Sequence, residues 1–142
     1  MAGYGRADSE WDELVDAGRR FLVERAKLGK ITSYTELNVT LAGRTGCRAF
    51  DFGRPDERAA MGHLLGLIVQ RDQETVTTDP PLMLSALVTY LDANDAGPGF
   101  YQLAKELQLL PTSASADEKF CFWVEQVKRL HERHGGGGVA VS

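Results

Sequence analysis

Gly29-Lys30-Ile31-Thr32-Ser33-Tyr34-Thr35-Glu36-Leu37 decides how this chain is read. Residues 30–32 form a short strand candidate that runs straight into a helix starting at Ser33. Ser33 is a residue type that accepts from free first-turn amides, and Glu36, three places on, is spaced to reach back as a capping box. Tyr34 then falls in the first helical turn, beside Lys30 and the positive end of the helix dipole. Small DNA-binding domains offer such a turn to a phosphate, and many other proteins use it simply to start a helix. The stretch therefore speaks for a fold before it speaks for a function.

Working toward the N-terminus, a first helix is expected from Ser9 to about Lys27. Trp11, Leu14, Val15, Phe21, Leu22 and Ala26 form its apolar stripe, and Gly29 permits a left-handed cap. Toward the C-terminus, the second helix should end near Leu41 and be closed by Gly43. Residues 44–53 read as irregular, anchored by Phe50 and Phe52. Pro55 opens a third helix over 56–71, with Ala60, Met61, Leu64, Leu65, Ile68 and Val69 inward. Gly62 and Gly66 lie four apart on it, a spacing that points to close approach of another element. A polar loop to Pro81 leads to a strand over 82–91, then to a turn or wing at Asp92-Ala-Asn-Asp-Ala-Gly-Pro-Gly. A helix from Phe100 to about Leu109 is stopped by Pro111. A last helix follows, opened by a Ser115/Glu118 capping box and reaching His134, with Phe120, Trp123, Val124, Val127 and Leu130 inward.

The 142 residues fit one globular domain over 1–134 with a disordered Gly-rich tail over 135–142. No apolar run approaches the roughly 20 residues of a membrane helix. The N-terminal residues hold no apolar signal core, so the expected location is cytoplasmic. Cys47 and Cys121 stand far apart without a CxxC, which argues for free thiols over a disulfide framework or zinc ribbon. Net charge is −4, which weighs against a non-specific nucleic-acid coat. The charge is uneven, however. Residues 1–60 balance ten basic against ten acidic side chains, while 61–142 hold six against ten. Arg44, Arg48, Arg54 and Arg58 recur through one connection, either as a local basic face or as a solvated loop.

The order of elements is that of a winged helix-turn-helix-like core with two additional C-terminal helices, a helix-rich α+β fold. The opening stretch resembles the strand-to-helix turn of the C-terminal, winged-helix-like domain of O6-alkylguanine-DNA alkyltransferases and the alkyltransferase-like proteins. Leu41-Ala42-Gly43 follows at a similar spacing. Ala59-Ala60-Met61-Gly62-His63-Leu64-Leu65-Gly66 resembles their recognition helix. Residues 82–88 occupy the place of their Pro-Cys-His-Arg strand, and Gly97-Pro98-Gly99-Phe100 onward is similar to their glycine turn and last helix. The likeness covers about 29–110 and requires an insertion at 44–55. It implies a DNA-binding shell of Lys30, Ser33, Tyr34, Arg54, Arg58, His63 and the Gly97–Gly99 amides, on duplex DNA with an extruded base.

The departures from that family remove its chemistry. Alkyl transfer needs a thiolate activated by a histidine, and Leu84, Ser85, Ala86 and Leu87 supply neither. The arginine that would fill the space of an extruded base is displaced by one position, to Arg58. The expectation is thus non-covalent DNA binding without a catalytic centre, cofactor or metal. Two alternatives remain: a protein-interaction module, which suits the acidic charge, and a metal-dependent nuclease or hydrolase assembled from Asp51, Asp56 and Glu57. Tyr34 is equally readable as a core-edge aromatic, and His63 as an ordinary helix histidine. Asp92, Asn94 and Asp95 form a weak oxygen-ligand set that lacks the rest of a calcium loop. Ser85 has no nucleophile elbow. His131 and His134 read as solvated residues at a fraying helix end.

Overall fold

In the computed structural model, the described residues are 4–77, 81–89 and 96–135. The elements run α1 (Asp8–Lys27), β1 (Thr32–Ser33), α2 (Tyr34–Thr45), α3 (Pro55–Thr75), a 3-10 turn (Leu84–Leu87), β2 (Val88–Thr89), α4 (Pro98–Glu106) and α5 (Ala116–His134). The fold is helix-rich α+β, and its small sheet is a parallel pair with Thr32 opposite Val88 and Ser33 opposite Thr89. Thr89 also bridges antiparallel to Ala96, so the chain returns on itself there. The expected turn at 92–95 and the tail beyond Gly135 lie outside the described residues.

Each junction has a local cause. Gly29, at φ +67°, ends α1 by sending its amide to the Ala26 carbonyl while the Lys30 amide reaches Arg25, a left-handed closure that satisfies orphan carbonyls. Ser33 Oγ accepts from the Glu36 amide at 3.0 Å, as expected of the cap. The other half of the anticipated box differs: the Glu36 carboxylate is taken by the Thr32 hydroxyl (2.5 Å) and the Arg25 guanidinium. That exchange pins β1 to the end of α1. Helix α1 starts at Asp8, ahead of Ser9, because the Ala7 amide donates to the Glu10 carboxylate (3.3 Å). Helix α2 runs past Gly43 and stops at Gly46, which takes φ +75°. Helix α3 continues to Thr75 through the segment read as loop.

Residues 82–91 are the main departure from expectation. Instead of a long strand, 84–87 form a 3-10 turn and, among the described residues of this stretch, only Val88 and Thr89 extend. A ten-residue strand needs a partner ladder, and β1 offers two residues. The backbone is satisfied from helices instead. Gln126 accepts from the Met83 amide (2.7 Å) and donates to Pro81 O (3.3 Å), Trp123 Nε1 donates to Ala86 O (2.7 Å), and Gln73 donates to Leu82 O (3.0 Å). These contacts turn α5 so that Trp123, Gln126 and Leu130 face inward, leaving Phe120 and Val124 exposed.

One apolar cluster runs from Trp11 to Leu130, with Leu22, Leu37, Leu64, Ile68, Leu84 and Leu87 fully enclosed. Each such side chain contributes about 1.5–3 kcal/mol by leaving water. Close approach between helices occurs at Gly18, where a Cβ would lie 2.6 Å from Ile68 Cδ1. Gly62 and Gly66, the anticipated contact glycines, have no atom within 4 Å of a Cβ position.

Candidate functional site

The open space above Gly62 belongs to two adjoining cavities. The first, about 460 Å³, is walled by Tyr34, Gly62, His63, Ser85, Gly99 and Phe100, with Gln102 and Glu106 among its polar groups. The second, about 400 Å³, is formed by Tyr34, Thr35, Phe52, Arg58, Met61, Gly62 and Gly99. Tyr34, Gly62 and Gly99 are common to both. Three elements converge there: the first turn of α2, the outward face of α3 and the N-terminus of α4. First-turn residues of α2 and α4 line this region, and helix N-termini favour anionic or electron-rich ligands.

The eight residues expected to form the DNA-binding shell divide into two groups. Tyr34, Arg58, His63 and Gly99 line the cavities. Arg58 is exposed, with Nη1 donating to the Phe52 carbonyl at 2.7 Å, which holds the guanidinium along the rim. His63 is exposed too, packed edge-on to Trp11 (centroids 5.1 Å apart) and tilted against Tyr4 (5.4 Å). Lys30, Ser33, Arg54 and Gly97 line neither cavity. Ser33 caps α2. The Arg54 guanidinium is bound by Asp56 at 2.8 and 3.1 Å. Gly97 is the buried N-cap of α4, its carbonyl accepting from the Phe100 amide.

Ser85, expected within a strand, lies in the 3-10 turn. It is 4% exposed, it borders the first cavity, and its hydroxyl has no hydrogen-bond partner among the described residues. A buried hydroxyl left unpaired costs about 1–3 kcal/mol. The sequence signal was a lone hydroxyl within an otherwise apolar run, Leu82 to Val88. No hydrogen bond joins Ser85 to His63. Cys47 is half-buried and Cys121 exposed, and neither lines the cavities.

The acidic trio considered for metal catalysis is committed elsewhere. Glu57 is 3% exposed, and its Oε1 accepts from Arg48 (2.9 Å), the Asp51 amide (3.1 Å) and Arg6 (3.3 Å). Arg6 is fully buried, stacked 4.0 Å from the Phe50 ring centroid. Desolvation, with the nearby Arg48 charge, pulls its guanidinium below the ordinary range, and Glu57 opposes that pull. Asp51 Oδ1 accepts from the Gly53 amide and Asp56 holds Arg54. Among the described residues, no three metal-ligating side chains gather. No described helix is long and apolar enough to cross a membrane.

Comparison with family models, with curated proteins and with solved structures finds no match.

Proposed function

We propose that this domain binds duplex DNA non-covalently through the α2–α3–α4 face, as a winged-helix-type, alkyltransferase-like protein without an acceptor thiol. The observation that carries the reading is the placement of Tyr34 and Arg58 in one cavity, at the meeting of two helix N-termini. A phosphate approaching the first turn of α2 would meet amide dipoles, the Tyr34 ring and the Arg58 guanidinium together. The parallel β1–β2 pair and the antiparallel return from Thr89 to Ala96 are compatible with a wing beside that face. The first cavity is of the size range that holds a planar ring, and Ser85 supplies a hydrogen-bonding group at its wall for an extruded base.

With a net charge of −4, binding rests on a few local cations. Affinity should therefore fall with salt at a slope of about −0.9 for each phosphate neutralised. A gel-shift titration with plain and alkylated duplexes at two salt concentrations tests this. The expected result is retarded duplex that weakens at the higher salt and under Arg58→Ala or Tyr34→Ala. Equal migration of every sample at saturating protein removes the DNA reading.

A further inference from the structure

A second cavity system lies where α1, α3 and α5 end, about 20 Å along α3 from Gly62 at 1.5 Å per residue. It measures about 630 Å³, and its charged lining is Arg19, Arg20, Lys27, Arg133 and His134 against Glu24 alone. Positive side chains at helix C-termini commonly serve the exposed carbonyls. Here the carbonyls are already served by backbone amides: Glu24, Arg25 and Ala26 by residues 28–30, Asp72 by Val76, and His131 by Gly135. Arg19 is bound to Asp72 (2.9 Å), Arg20 to Asp16 (3.2 Å), and Glu24 to Arg44 (2.8 Å). Among the described residues, Lys27 and Arg133 have no ion-pair partner. His134 is half-buried, and its Nε2 is shut from solvent with no hydrogen bond.

The arrangement is held by a close contact. A Cβ on Gly135 would lie 2.3 Å from the Lys27 carbonyl oxygen, so only glycine lets the end of α5 sit over the end of α1. That contact keeps Arg133 and His134 beside Lys27, on a face whose cations outnumber its anions within an acidic protein.

We propose that this cavity is a phosphate-binding site, in which Lys27 and Arg133 hold the oxyanion beside the His134 ring. Two oxygens of a tetrahedral phosphate suit the planar arginine fork, and the third is within the reach of a lysine ammonium. The site is independent of the Tyr34 face.

The test is an NMR titration of the histidine ring resonances of the full chain with sodium pyrophosphate, against sodium chloride at matched ionic strength. The expected result is a saturable shift of the His134 ring with pyrophosphate and none with chloride. Either Lys27→Gln or Arg133→Gln should weaken the affinity about tenfold, the scale of a lost charge-assisted bond. Both positions are exposed, and a thermal melt of each variant verifies that it remains folded. Absence of a saturable His134 shift, or equal affinity in wild type and both variants, overturns the proposal. A short duplex identifies the source of the phosphate. A His134 shift by duplex that survives Arg58→Ala and is lost in Lys27→Gln supports the site with a nucleic-acid backbone as ligand. A shift with pyrophosphate alone supports it with a small phosphate compound. Duplex that moves only His63, together with silence toward pyrophosphate, overturns it.

Discussion

Glu57 and Arg58 are neighbours in the first turns of α3, and their surroundings are opposite. Glu57 points inward, and a single carboxylate oxygen accepts from Arg6, Arg48 and the Asp51 amide. Arg58, about 100° further round the helix, reaches the open rim beside Tyr34. The inward cluster ties the residues before α1 to the connection 46–54, which Asn38 also grips through two 2.8 Å bonds to the Phe50 backbone. The outward face carries the open Gly62 and borders the cavity that His63 and Gly62 line. Charge that is paired around a buried carboxylate holds a structure; charge left open toward a cavity is free to meet a ligand.

The sharpest way to break this contrast is Glu57→Ala. It strands the buried Arg6 guanidinium, and the expected loss is about 3–5 kcal/mol by urea denaturation. Arg6→Ala combined with Glu57→Ala should cost less than the two single changes together, because no uncompensated charge remains. Arg58→Ala should act the other way. Stability should stay within about 0.5 kcal/mol of wild type, while duplex affinity drops and the salt slope flattens by about 1. Comparable unfolding losses in Arg58→Ala and Glu57→Ala would place both residues in one structural cluster and dissolve the distinction.

The helical part of the fold was legible in the sequence wherever a local rule decided the outcome, whereas the inward Glu57–Arg6 cluster was not. The apolar stripes of α1 and α3 are buried at every position named from their spacing, and Gly29 takes its left-handed cap. Rules failed where tertiary partners replaced local ones. Residues 82–87 have the composition of a strand, yet side chains of helices satisfy their backbone: Gln126 and Trp123 from far along the chain, and Gln73 from the preceding helix. The end of α4 was misread because Gln108, a non-glycine, takes φ +62° there. His131 looked solvated, yet its ring lies 3.1 Å from the Lys30 carbonyl, a contact across 101 residues. Of the candidate shell, the members that came together sit on helix N-termini or on the outward face of α3. Lys30 and Arg54 line neither cavity, because sequence position and charge carry no information about side-chain direction.

The glycines sharpen the comparison at lower energy. Gly18→Ala introduces a Cβ 2.6 Å from Ile68 Cδ1, inside the core, and should destabilise by about 1–3 kcal/mol as overpacking exceeds the gain in helix propensity. Gly62→Ala meets nothing and should stabilise by about 0.5–1 kcal/mol. Gly62→Leu should leave the melting temperature near that of wild type while filling the space shared by both cavities, and so weaken duplex binding. A Gly62→Leu protein that binds duplex as wild type does would show that the ligand never enters there.

The smallest expected effect concerns pH and the far end of α3. Burial, the first cause, holds the His134 imidazole below its ordinary value of 6.5, and the charges of Arg133, Lys27 and Arg19 add to this while Asp72 opposes it. In the unfolded chain the ring regains its ordinary affinity for a proton, so the unfolded state binds more protons in the interval between the two values. The stability contributed by the neutral, folded ring is therefore complete above about 6.5. It is lost as pH falls from there toward the lower folded value. Denaturation curves at pH 7.5 and 5.5 should show a smaller decline for His134→Asn than for wild type. Pyrophosphate at the adjoining site would favour the protonated ring and reduce the wild-type decline. Equal declines in both proteins, with and without pyrophosphate, would mean that the buried nitrogen and the cations around it do not act as one site.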